Sequence, residues 1–249
     1  MTWLDSHCHL DFLSQPDEAL AQARKAGIGH WLIPGTEPGQ WQLARKTFGQ
    51  LNHVSLAFGH HPWFLPTSDP DLIDLEQSLN NGVVAVGEIG LDFYPSRTAR
   101  PPFDVQERWF DAQLKLACEH DLPVIIHSVK AHHRIQHYLK RYPQARGVVH
   151  AFLGNYSQAM AFVEKGFLLG CGSLIAKSPK TLDAFSRIPL ESILLETDAP
   201  DMRWPQPNAD NPLLDLLRTA DQLAAARNLD VAQLATVTSA NSRRLFSIP

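Results

Sequence analysis

Two histidines separated by one residue stand near the start of the chain, in Asp5-Ser6-His7-Cys8-His9. Alternate residues of a strand share a face, so both imidazoles point the same way and can share one divalent ion. Glu88 closes the apolar run Val83-Val84-Ala85-Val86-Gly87, His127 closes Val124-Ile125-Ile126, and His150 closes Val148-Val149. Asp198 follows Ile193-Leu194-Leu195-Glu196-Thr197. Taken alone, each has an ordinary reading: a hydrogen-bonded or rim histidine, a paired glutamate, a helix cap ahead of Pro200. Six such residues at the ends of five apolar runs point instead to one metal centre. Four imidazoles and two carboxylates exceed the three protein ligands of a simple catalytic zinc, so two ions are expected. Zn, Mn, Mg, Ni and Co all accept such donors. A carboxylate bridges two cations more readily than an imidazole does, a role that suits Glu88.

The expected chemistry is hydrolysis. Paired ions lower the pKa of a shared water and offset negative charge that develops on the substrate. Asp198 would orient the nucleophile or take its proton. Glu196, two residues earlier on the same strand face, would act as a base or steady a ligand. Substrate contacts are expected among His60, His61, Asp92, Lys130 and Arg203, with Trp204 available for stacking. His60 and His61 are adjacent and face opposite ways, so at most one reaches the substrate. Asp92, like Asp5, is also placed to orient a ligand histidine.

Something must bring these residues together. The candidate strands are Trp3–His9, His30–Pro34, Val54–His60, Val83–Glu88, Val124–His127, Gly147–His150, Phe167–Gly170 and Ile193–Asp198. Near-continuous hydrophobic runs are the mark of buried parallel strands. Helical segments alternate with them, including Phe103–His120, Pro212–Arg227 and Val231–Arg244. Before the first helix, Ser14 with Asp17 suggests a capping box, Pro16 suits its first turn, and Gly27 can close it. The residues Asp92–Pro102 read as a long active-site loop. Eight β-then-α units favour a (β/α)8 TIM barrel, whose strand C-termini carry the catalytic groups. The absence of a glycine-rich dinucleotide fingerprint after the first strand weakens the open-sheet alternative.

Composition fits one barrel domain spanning residues 1–249. Hydrophobic residues make up 44% and charged residues 19%, an ordinary globular mixture. A chain of this size needs no structural metal to fold, so bound ions are expected to act on substrate. The net charge of −4 gives no long-range attraction for polyanions, although ions in a cleft can reverse the sign locally. Cys8, Cys118 and Cys171, with no CxxC, suggest free thiols in a reducing compartment. No apolar run approaches ~20 residues, and no signal-peptide pattern precedes Asp5. A cytoplasmic monomer without membrane contact or obligate protein partner is the expectation.

The same residues resemble the TatD family of metal-dependent hydrolases from Asp5 to Phe246. The resemblance is carried by Asp5-Ser6-His7-Cys8-His9-Leu10-Asp11, Gly59-His60-His61-Pro62, Gly87-Glu88-Ile89-Gly90-Leu91-Asp92, Ile126-His127-Ser128, His150-Ala151-Phe152, Glu196-Thr197-Asp198-Ala199-Pro200 and Asn241-Ser242-Arg243-Arg244-Leu245-Phe246. It implies a TIM barrel, a divalent-metal centre and phosphodiester hydrolysis, commonly as a 3'-5' exonuclease-like deoxyribonuclease. It also implies that His7 and His9 hold one ion, Asp198 completes that site, Glu88 bridges, and His127 with His150 hold the second. Three departures bear on the substrate pocket and leave the ligands intact. Val129 and Lys130 follow Ser128 where the family carries Arg. His150-Ala151-Phe152-Leu153-Gly154 replaces His-Cys-Phe-Ser-Gly, and Asp201-Met202-Arg203-Trp204-Pro205 replaces an aromatic-containing stretch. The rival enzyme reading is hydrolysis of amides, esters or lactones. Such barrels often place a carboxylated lysine at the fourth strand, where this chain has Glu88. A non-catalytic metal-binding protein is the third reading.

Overall fold

The structure is a computed structural model and describes residues 2–80, 82–95, 100–205 and 211–249. Eight strands follow sequence order through one sheet. They are β1 (Trp3–Asp5), β2 (Ile28–Gly35), β3 (Val54–Phe58), β4 (Ala85–Asp92), β5 (Val124–Val129), β6 (Gly147–Val149), β7 (Leu168–Cys171) and β8 (Ile193–Leu195). The pairs β1–β2, β3–β4, β4–β5, β5–β6 and β7–β8 are parallel. Helices separate the strands, which gives the (β/α)8 pattern expected from the alternation.

All eight expected strands are present, and their ends differ in an instructive way. β4 runs on to Asp92, four residues beyond Glu88, whereas β1 and β8 stop before His7 and Asp198. Asp198 itself has a left-handed backbone, φ 56°. The expected loop Asp92–Pro102 accordingly begins at Phe93, and its residues 96–99 lie outside the described residues. The first helix, Pro16–Lys25, has Pro16 in its first turn and Gly27 at φ 92° just beyond its end. Its N-cap is Gln15 with no side-chain cap bond, not Ser14. Proline is best accommodated in the first turn, and this sets the start one residue later than the capping-box reading.

Two compact units can be described. The first comprises residues up to Ile33, Leu51–Ser55 and Ala151–Pro249. Here β1 lies beside β2 and β7 beside β8, in register Trp3↔Ile28 and Leu169↔Ile193. The last helix, Val231–Phe246, buries Leu234, Ala235, Leu245 and Phe246. Its Asn241 donates to the carbonyls of Leu190 and Ile193, each at 2.9 Å, fixing the entry to β8.

The second unit comprises Pro34–Gln50 and Leu56–His150. Its longest helix, Phe103–Glu119, buries Val105, Trp109, Phe110, Leu114 and Ala117 on one face. Two glutamines share that face. Gln113, 1% exposed, accepts from the His60 amide at 2.7 Å and donates to the His60 carbonyl at 3.1 Å. Gln106, fully buried, does the same for Asp92, at 2.8 and 3.2 Å. Each side-chain amide satisfies both the N–H and the carbonyl of one residue at or just past a strand end. Among the described residues no helix is long and apolar enough to cross a membrane. Cys8, Cys118 and Cys171 are free thiols.

Candidate metal centre

In the first unit, the segment after β1 is stitched to its neighbours through backbone bonds. Ser6 N–H donates to Leu195, Cys8 N–H to Leu32 and Asp198 N–H to His7, at 3.0, 3.0 and 2.9 Å. The alternation expected of a strand survives beyond β1. Cys8 turns its thiol toward the Leu32 carbonyl, while His7 and His9 converge on Asp198. Each Nε2 lies 3.5 Å from Asp198 Oδ1. The rings meet edge-on at 5.2 Å, and Phe12 stacks on His9. Behind them Asp5 is fully buried. Its carboxylate accepts from the His7 amide (3.3 Å), the Thr197 amide (3.0 Å) and the Thr197 hydroxyl (2.6 Å). Burial pushes the Asp5 carboxyl up to about 7 even though these bonds pull it down. Asp5 thus fixes the backbone on both sides of the triad.

Glu196 lies one residue past the end of β8, with its amide still bonded to the Cys171 carbonyl at 3.2 Å. Its Oε1 accepts from the Ala151 amide at 2.5 Å. Its carboxylate lies over Gly170, where an added Cβ would come within 2.2 Å of Oε2. Gly170 is required here for space.

The second unit gathers its donors around Glu88, only 3% exposed at the middle of β4. One oxygen, Oε1, lies 2.7 Å from His150 Nε2, 2.9 Å from His127 Nδ1 and 3.4 Å from His61 Nε2. The other nitrogen of His127, Nε2, meets Asp92 Oδ2 at 3.0 Å. Asp92 is itself held by the Trp63 indole N–H at 2.8 Å and the Tyr94 amide at 3.0 Å. Burial alone would raise the Asp92 pKa, but bonds from His127, Trp63 and Tyr94 outweigh it and keep the carboxyl ionised. Burial likewise opposes charge on His127, and its bonds to Asp92 and Glu88 overcome that and raise its pKa. With Asp92 accepting at Nε2, Nδ1 is the nitrogen left for a ligand bond. Burial dominates at His61 and lowers it to about 4, the neutral form that a metal requires.

Both groups have the chemistry of divalent-ion sites. His7, His9 and Asp198 offer ligand atoms within 4.8 Å of one another, as do His61, Glu88 and His127. Imidazole nitrogen with carboxylate oxygen suits Zn, Mn, Co and Ni. The adjacent histidines divide as their alternation requires. His61 enters the cluster, while His60 packs between Trp41 and Trp109 at ring distances of 4.9 and 4.8 Å. Lys130 is exposed and sits 5.4 Å above the Tyr94 ring. Arg203 is ion-paired with Asp215 at 2.7 Å. Beside Asp92 opens a cleft of about 290 Å³, lined by Tyr94, Pro95, Arg100, Pro101, Pro102 and Phe103.

The profile of the family described as TatD related DNase matches residues 4–247. The chain belongs to the TatD family. It is 38% identical to the metal-dependent hydrolase YjjV of Escherichia coli K12, over 99% of this chain and 98% of that protein. A protein named 3'-5' ssDNA/RNA exonuclease TatD, from Shigella flexneri, is 33% identical with 95% of each chain covered. The crystal structure of E. coli YjjV superposes with a TM-score of 0.89 at 36% identity, covering 99% of this chain and 98% of that one. The fold is therefore the (β/α)8 TIM barrel of TatD proteins, and the chain is a metal-dependent hydrolase.

Within this TatD chain, the groups that hold the candidate ligands are less legible in the sequence than the candidates themselves. Trp63, Thr197, Gln106 and Gln113 were not singled out. The two glutamines left a trace, since they interrupt the apolar face that also carries Trp109, Phe110 and Leu114. A polar residue on a buried helical face calls for a partner. Trp63 and Thr197 left none, because their partners come from distant segments.

Proposed function

We propose that this TatD-family hydrolase cleaves phosphodiester bonds in single-stranded nucleic acid, DNA foremost, with two divalent cations per chain. His7, His9 and Asp198 would hold one ion. Glu88, His127 and His150 would hold the other, with His61 beside them. One observation carries the reading: a buried β4 carboxylate, Glu88, receives three imidazole nitrogens within 3.4 Å. A carboxylated lysine at that position would have favoured amides or lactones. The exonuclease name carried by a relative 33% identical supports the substrate class.

Ions bound there would polarise a phosphoryl oxygen and acidify water. The protein's own groups do the rest. Asp198, one-sixth exposed and next to His7 and His9, accepts the proton of the water that attacks phosphorus. Asp92 keeps the His127 proton on Nε2 and so presents Nδ1 in one orientation. Glu196 is anchored by the Ala151 amide and steadies the wall beside Asp198. We take residues 1–249 to work as one domain, as a monomer in the cytoplasm.

The test is metal-reconstituted protein offered end-labelled single-stranded DNA, RNA, a chromogenic phosphodiester and a panel of amides. Stepwise shortening of DNA from its 3' end is expected. Turnover of amides alone would overturn the reading.

A further inference from the structure

Trp63 stands on the turn that follows β3, where the Phe64 amide donates to the His61 carbonyl at 3.0 Å. It is half-buried, and both its polar and its apolar parts meet the group around Glu88. The Trp63 amide donates to His61 Nδ1 at 3.2 Å, and the indole N–H donates to Asp92 Oδ2 at 2.8 Å. The ring lies 5.0 Å from that of His61 and 5.9 Å from that of His127, at interplanar angles of 86° and 78°. Arg100 lies 4.3 Å over the Trp63 ring and pairs with Asp92 as well.

An indole nitrogen can only donate, so residue type alone settles the direction of the bond to Asp92. The oxygen that receives it is the one that lies 3.0 Å from His127 Nε2, while Oδ1 receives the Tyr94 amide at 3.0 Å. A carboxylate held at both oxygens cannot turn without losing one of these bonds, and the imidazole that leans on it keeps its angle. A tryptophan in such a setting needs only some acceptor for its N–H. Here the acceptor is the carboxylate behind a candidate metal ligand.

We propose that Trp63 is a positioning residue for the ion at Glu88, His127 and His150. It acts through its neighbours: the indole N–H holds the Asp92 carboxylate, and the ring limits the tilt of His61 and His127. The inference rests on the reading of Glu88, His127 and His150 as ion ligands, and adds to it a residue from outside the ligand set.

Zinc affinity of the full chain, measured for each ion by competition with a chromogenic chelator, tests this. Trp63→Phe keeps a flat apolar ring and removes the N–H. It should weaken one ion by about tenfold or more, the scale of a ligand's outer partner, and leave the other within about twofold. In the cobalt-loaded protein, the visible absorption of one ion should change and that of the other should not. Added to Asp92→Asn, the substitution should weaken binding by less than about twofold further, because both act through one bond. Trp63→Met fills irregular space without a donor, and gives the same reading if the phenylalanine variant does not fold. Unchanged affinity for both ions overturns the inference. So does an equal loss at both ions with a lower melting temperature, the mark of a merely structural role, and so does an undiminished loss on the Asp92→Asn background. A parent chain that binds fewer than two ions overturns the metal reading and this inference with it, a failure visible before any substitution is made.

Discussion

The smallest decisive unit is the proton on His127. Asp92 Oδ2 lies at Nε2 and Glu88 Oε1 at Nδ1, so the ring orientation is fixed from both sides. Asp92→Asn exchanges an ionised acceptor for an amide that can also donate, and the fixed arrangement loosens. Outer partners of this kind are worth 10–100-fold in metal affinity. The expected outcome is a 10–100-fold weaker affinity for one of the two ions, read by competition with a chromogenic chelator. Unchanged affinity for both would show that Asp92 does not orient the ligand. A second residue speaks to pH. His30 is buried with its Nε2 2.8 Å from the Ser55 hydroxyl, and burial first, then Arg243 and His53, lower its pKa to about 4. Above pH 6.5 the ring is neutral in both folded and unfolded chains. Between pH 6.5 and 4 only the unfolded chain takes up the proton, so stability falls with pH and levels off below 4. The shift corresponds to at most about 3 kcal/mol. Urea titrations of His30→Gln should show a shallower loss across that window than the parent chain.

At the scale of elements, helix Phe103–Glu119 acts as a template for strand ends. Gln106→Leu leaves both the amide and the carbonyl of Asp92 without their buried partner, at about 1–3 kcal/mol for each lost bond. Chemical denaturation should show that loss, and a metal titration should show weaker binding, since Asp92 is no longer held against His127. Gly170→Ala is the counterpart in the other unit. Its Cβ would collide with the Glu196 carboxylate, so the Ala151 bond must break and activity should fall while secondary structure by circular dichroism stays intact. The sequence disclosed these elements well where apolar runs were long. Val124-Ile125-Ile126 and Ile193-Leu194-Leu195 could only be buried strands, and eight such runs yielded the barrel. It disclosed their ends less well. β8 stops at Leu195, and Asp198, three residues on, adopts a left-handed backbone that no residue pattern announces. His61 was legible as one of an adjacent pair with opposite directions, but which of the two turned inward depended on Trp41 and Trp109 packing around His60.

For the whole molecule, the account makes bound ions a source of stability as well as of chemistry. An ion that binds only the folded chain adds RT ln(1 + [L]/Kd), about 2.7 kcal/mol at a hundredfold excess over Kd. Removing metal with a chelator should therefore lower the melting temperature by several degrees, and resupplying Zn or Mn should restore it. The central claim is that the His7–His9–Asp198 and Glu88–His127–His150 groups each bind a divalent cation. It is tested most directly by anomalous diffraction at the metal edge from crystals of the reconstituted protein. The account predicts two peaks, one among the first three side chains and one among the second three, at ligand distances of about 2.0–2.2 Å for zinc. A metal-replete crystal with no peak beside either group, or with its ions elsewhere, would contradict it.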